Sequence, residues 1–178
     1  MRRFGRRHSI VLAVGLVVLS AGSPPDAEGL TLDALVSGGI ITTGVLTFSN
    51  FDAAIGGDLS DSLDAYPVQV LDDGFRLSGP LSALFGASGS LLLSYDVSTS
   101  DPGGILGVQL FADAIVVDPG AAAYVADSIF AADDTPLGSL FVYAATGVGS
   151  QVLDAIVLGG ATSLHVVKSV NVKGGTFA

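Results

Sequence analysis

Beyond the first eight residues the chain carries one imidazole, His165, and it has no cysteine at all. A Ser-His-Asp triad would have to use His165 as its base, and no Gly-x-Ser-x-Gly turn accompanies it. At period two His165 keeps company with Ser169 and Asn171, the pattern of a solvated side chain. A zinc site draws several His or Cys ligands, which one imidazole cannot supply. Carboxylates, by contrast, are plentiful: fifteen aspartates follow residue 27. Two of them could serve a glycoside hydrolase as acid and base, but with so many aspartates chance supplies a pair at any spacing.

Calcium is the better ionic expectation. Asp58, Asp61 and Asp64 fall within nine residues that open Gly56-Gly57, and Asp72-Asp73 and Asp133-Asp134 pair carboxylates in short turns. Calcium takes six to eight oxygens from carboxylates and carbonyls, which such loops can offer. Neither the EF-hand spacing nor the Gly-Gly-x-Gly-x-Asp repeat occurs, and aspartate is favoured in solvated turns without any metal. For sugars the usual platform is an aromatic face, and there is no tryptophan. Of the four tyrosines, at 66, 95, 124 and 143, Tyr95 alternates with leucines of a core strand, leaving Tyr66 and Tyr124, near segment ends, as candidate ligand platforms. The pairs Gly56-Gly57, Gly103-Gly104 and Gly159-Gly160 lack the lysine and following helix of a phosphate cradle and read as turns.

The start of the chain decides where this chemistry would operate. Four arginines among the first seven residues precede the apolar run 10–19 and the small residues Ser20-Ala21-Gly22-Ser23. This is the layout of a secretory signal peptide, and the run is about half the roughly 20 residues that a membrane span requires. We expect a leader over 1–27, a single domain over 28–178, and no membrane span after cleavage. Three basic residues, Arg76, Lys168 and Lys173, then face sixteen acidic ones, a net charge of −13. Such a surface repels phosphate backbones and anionic membranes, so nucleic acid is not expected as a partner. With no disulfides available, an exported domain of this size must rest on an apolar core.

Asp in place of Glu, few lysines, and abundant Gly, Ser, Thr and Val describe strands joined by tight turns. Thr31 is positioned to cap one helical turn over 31–36, which Ser37-Gly38-Gly39 ends. Strands are expected at 45–51, 67–71, 75–78, 90–98, 107–117, 122–131, 138–144, 151–158 and 164–172. Asp72-Asp73-Gly74 marks a hairpin. The clearest alternation sets Leu91, Leu93, Tyr95 and Val97 against Ser90, Ser94, Asp96 and Ser98. In the last strand Leu164, Val166, Lys168, Val170 and Val172 alternate with His165, Val167, Ser169 and Asn171. No helical pattern intervenes. The expected fold is all-β, an antiparallel two-sheet, jelly-roll-like sandwich of about nine short strands.

Four stretches carry a resemblance: Thr31-Leu32-Asp33-Ala34-Leu35-Val36-Ser37-Gly38-Gly39, Gly44-Val45-Leu46-Thr47-Phe48-Ser49-Asn50-Phe51, Gly74-Phe75-Arg76-Leu77-Ser78-Gly79, and residues 164–175, which read Leu-His-Val-Val-Lys-Ser-Val-Asn-Val-Lys-Gly-Gly. Together they resemble the exported bacterial proteins of the PEP-CTERM-associated type. The resemblance spans most of residues 28–178 and implies a secreted β-sandwich, without enzymatic activity, from a bacterium that makes extracellular polysaccharide. The Pro-Glu-Pro sorting tail of that type has no counterpart up to Ala178, so the resemblance covers the domain and not its sorting. The expectation is therefore a non-catalytic exported domain, secreted or at the cell surface, with a structural or interaction role in the extracellular matrix. Extracellular polysaccharide or other surface proteins are its expected partners. The alternatives are a calcium-assisted glycan-binding module and, behind it, an Asp-dependent glycoside hydrolase.

Overall fold

Alternating burial builds this molecule strand by strand. The computed structural model describes residues 10–15, 29–84, 86–114, 116 and 119–175, with side chains described from residue 29 onward. Among these residues twelve strands and one short helix form: β1 (Ile10–Gly15), α1 (Leu32–Val36), β2 (Ile41–Thr43), β3 (Leu46–Gly57), β4 (Val68–Leu71), β5 (Gly74–Leu77), β6 (Ser88–Thr99), β7 (Ile105–Asp113), β8 (Ala122–Ala131), β9 (Pro136–Ala145), β10 (Gly149–Gln151), β11 (Leu153–Ala161) and β12 (Ser163–Lys173). They make a seven-stranded sheet in the order β10-β9-β8-β12-β6-β3-β2 and a five-stranded sheet in the order β11-β7-β1-β5-β4. The chain is an all-β sandwich.

The larger sheet is antiparallel throughout, and the last strand, β12, lies at its centre between β6 and β8. On β6 the buried residues are Leu91, Leu93, Tyr95 and Val97, and on β12 they are Leu164, Val166, Lys168, Val170 and Val172. Four rings join the two sheets. Phe75 of β5 meets Tyr95 edge-on at 5.3 Å and also packs against Phe48 and Phe51 of β3, at 5.5 and 5.8 Å. Such edge-to-face pairs add about 0.5–1.5 kcal/mol each beyond the area they bury.

One buried pair in this core is ionic. Lys168 Nζ lies 2.6 and 2.7 Å from the two carboxylate oxygens of Asp127 on β8, and both side chains are fully buried. Burial pushes the Asp127 carboxyl up and the Lys168 amine down, each restrained by the other's charge and hydrogen bond.

Several local expectations need correction. The strand expected at 45–51 runs on to Gly57 and carries a bulge between Ser49 and Asp52. That bulge advances the period by one residue, so Phe48 and Phe51 are both buried while Asn50 is exposed. The strand expected at 107–117 spans Ile105–Asp113, and residues 115 and 117 lie outside the described residues. The segment 151–158 divides between β10 and β11. Gly159-Gly160, read as a turn, lies inside β11, where the register with β7 shifts. There Gly104, at φ +70°, lies so close to the Gly160 carbonyl that a Cβ would collide with it. The glycines permit close backbone approach here and do not reverse the chain.

β1 runs parallel to both its neighbours, β5 and β7. It falls within the segment expected to be a leader; the rest of that segment, and Glu28, lie outside the described residues. Among the residues whose side chains are described, the core cluster extends from Leu32 to Val172, and the seven-stranded sheet begins at Ile41. β5 and β7 run parallel to each other, an orientation in which two strands can form a ladder. A chain beginning at Glu28 is therefore expected to show a β-type circular dichroism spectrum and one cooperative thermal transition. A gradual melt without a transition would make Ile10–Gly15 part of the folded domain.

Candidate functional site

The outward face of the seven-stranded sheet gathers most of the exposed polar and aromatic groups with a fixed mutual geometry. Register sets them in cross-strand rows. One row reads Tyr143, Tyr124, Asn171 and Ser90 across β9, β8, β12 and β6. Six residues further along β8 a second row reads Phe130, His165, Asp96 and Ser49, ending on β3. At about 3.4 Å per residue the two rows lie roughly 20 Å apart.

The first row is aromatic at one end. Phe141 stacks on Tyr143 at 5.9 Å, and Tyr124 lies 6.4 Å from Phe141 at a tilt. Tyr124 and Phe141 are 41% and 47% exposed, so their faces are offered to solvent and not spent on the core. The edge behind them is tied down. The Phe141 amide donates to Asp154 Oδ2 at 2.9 Å, and Gln151 Nε2 donates to the Phe141 carbonyl at 3.2 Å. These bonds fix β9 where β10 no longer covers it.

The second row frames a cleft of about 250 Å³ lined by Asn50, Asp96, Asp134, Ser163 and His165 among others. Asn50 Nδ2 donates to Asp96 Oδ2 at 2.7 Å, and His165 Nδ1 lies 2.8 Å from Asp96 Oδ1. Because an ionised carboxylate only accepts, this contact places the proton on Nδ1 and leaves Nε2 for other partners. Burial pushes the Asp96 carboxyl up, but hydrogen bonds from Asn50 and His165 and the imidazole charge outweigh it and hold the group below its usual range. Asn50 and Asp134, at φ 54° and 63°, are the two non-glycine residues with left-handed backbone among those described, and both line this cleft. Such conformations persist where the surroundings over-determine them, and they collect at binding sites.

The residues singled out from sequence are dispersed. Tyr66 is a correction: it is fully buried, its hydroxyl donating to the Ser60 carbonyl at 3.0 Å, because the chain after the 3-10 turn Leu63–Ala65 is tied to α1, the Leu32 amide donating to the Tyr66 carbonyl. It offers no face to a ligand. Tyr124 is on the surface, as the platform reading requires, and the structure adds Phe141 and Tyr143 beside it. Asp58 accepts the Ser88 amide at 3.0 Å, and Asp64 accepts the Thr31 hydroxyl at 3.3 Å. Asp61 raises the Tyr66 phenol by its charge, an effect second to burial. Among the described residues no three His, Asp or Glu side chains converge as metal ligands. His165 is half exposed, as its company on the strand implied, yet it is paired with Asp96. That pairing is two-thirds of a triad, but among the described residues no serine hydroxyl is hydrogen-bonded to His165. A larger concavity at the β9–β10 turn is lined by Ala144, Thr146, Val148 and Ser150 and, among the described residues, brings no ionisable group.

Compared with protein-family models and with curated proteins, the sequence matches none. Among the described residues no helix is long and apolar enough to cross a membrane.

Two outcomes are expected of this site. Asp96 contributes stability that is fully present above its unfolded value of about 3.9 and is lost as pH falls through its lower folded value. Asn50→Ala is expected to move the Asp96 titration upward, followed by carboxyl NMR; an unmoved titration would show that the Asn50 contact does not form in solution. The thermal midpoint is expected to be equal in calcium and in chelator. Calcium at a hundred times its Kd would add about 2.7 kcal/mol of stability, so a clear rise would restore the aspartate loop as a metal site.

Proposed function

We propose that this chain is an exported, non-catalytic β-sandwich that binds neutral polysaccharide across the open face of its seven-stranded sheet, as a component of a bacterial cell surface or extracellular matrix. The observation that carries the reading is the cluster of exposed Tyr124 and Phe141 with half-buried Tyr143. Three adjoining rings on a braced sheet form a rigid apolar platform of the kind that stacks on sugar rings, at little cost in side-chain entropy. Asn171 and Ser90 continue the same row, and Asn50, Asp96 and His165 provide donors and acceptors roughly 20 Å away, the span of a few sugar units laid along the strands. Sixteen acidic residues against three basic ones after residue 27 disfavour anionic polymers, which is why the proposed partner is uncharged. Export and the surface location rest on the leader pattern and on the resemblance to PEP-CTERM-associated proteins.

Affinity electrophoresis through gels containing cellulose derivatives, soluble chitin or dextran tests the proposal. At least one neutral polysaccharide is expected to retard the protein, equally with and without calcium. Tyr124→Ala and Phe141→Ala are each expected to weaken retention about tenfold, the worth of one aromatic contact, without lowering the melting temperature, because both rings are on the surface. Unretarded migration in every gel would remove the glycan reading.

A further inference from the structure

The buried Lys168–Asp127 pair belongs to neither row of the surface site, and an ion pair is a poor way to stabilise a core. Desolvating two charges costs several kcal/mol for each ion, and apolar residues of similar size commonly do as well or better. The strands on either side show that apolar residues fit here: Leu93 is opposite Lys168 on β6, and Leu140 is opposite Asp127 on β9. What the pair offers instead is chemical. An amine and a carboxyl group on directly opposed positions of adjacent strands are held in contact, 2.6 Å apart, with water excluded from both.

We propose that Lys168 and Asp127 condense into an intramolecular isopeptide bond joining β12 to β8. Transfer of a proton from Nζ to the carboxylate within the pair turns ammonium and carboxylate into neutral amine and carboxylic acid. The Nζ lone pair then attacks Cγ of Asp127. The Nζ–Cγ bond forms, the bond from Cγ to one oxygen breaks, and that oxygen leaves as water with its own hydrogen and one from the amine. Atoms and charge balance with no oxidant, nucleotide or other co-reactant.

Three features favour the step. Burial moves both groups toward their neutral forms, which are the reacting ones. The contact replaces a bimolecular encounter, for which well-oriented intramolecular reactions reach effective concentrations of about 10⁵–10⁸ M. The Tyr95 hydroxyl is buried without a hydrogen-bond partner. Tyr95 is opposite Val166, diagonal to Lys168 on the same inward face, and within the electrostatic reach of Asp127. A phenol there can donate to the oxygen on which negative charge develops during attack. The bond would also give a cysteine-free chain a covalent tie between residues 41 apart in sequence, which a reducing or metal-free environment leaves intact.

Intact mass spectrometry of the folded protein, denatured only at the moment of measurement, tests this directly. The expected mass is one water below that of the linear chain, and trypsin should leave Lys168 uncut, giving a single fragment from Leu77 to Lys173 that is also one water light. Protein purified in denaturant before folding should have the full mass and lose the water on refolding. Lys168→Arg, which keeps the charge but not the nucleophile, should retain the full mass, and Lys168→Met with Asp127→Leu supplies a linear reference with an apolar core should the single variant fail to fold. Folded wild-type protein at full mass and cut by trypsin after Lys168 would overturn the proposal.

Discussion

Burial at period two along β12 is the constraint from which the rest of the structure follows. This strand has a neighbour on each side over its whole length, so its inward row must fill space left by β6 and β8 together. Leu164, Val166, Val170 and Val172 do so as branched apolar side chains, which suit a pleated, half-buried surface. Because the period is two, a slip of one residue would carry the whole row into solvent and bring His165, Ser169 and Asn171 inside. The burial cost of those polar groups holds the register, and the register in turn sets every cross-strand row on the outer face.

The same constraint explains why the outer face of the large sheet can carry exposed rings and polar groups. With the apolar faces of both sheets turned toward each other, the outer face of the large sheet is free of packing duties and can carry rings and polar groups. The sheet ends in β2 and β10, three residues each, and the Asp154 carboxylate takes up a β9 amide that β10 does not reach. Very short end strands are one way a sheet discourages pairing with other chains.

Lys168 is the exception in the buried row, and Asp127, directly opposite on β8, accepts from its ammonium group. An ionic pair specifies which strands pair, since any other register would leave a charge buried alone at a cost of about 3–5 kcal/mol. The Asn50 bulge is a second departure from regular pairing. It gives up a ladder position in β3, and in return Phe51 enters the aromatic cluster while Asn50 reaches Asp96. Both departures occur where local regularity is exchanged for a specific contact.

Fold class, the capped turn at Thr31, the Asp72-Asp73-Gly74 hairpin and the inward rows of β6 and β12 were all readable in the residues, because each depends on neighbours one to four positions away. Position near a segment end selected Tyr124 and Tyr66 alike, and only Tyr124 is on the surface. The bulge at Asn50, the glycine contact between Gly104 and Gly160 and the burial of Tyr66 were not readable, since each depends on a backbone or cavity contributed by a distant segment. Sequence also left Asp96, His165 and Asn50 as unrelated surface residues and Lys168 and Asp127 as charges without partners. Their meeting is a matter of strand order: β12 inserts between β6 and β8, and period-two patterns state which way a side chain points without stating which strand lies beside it.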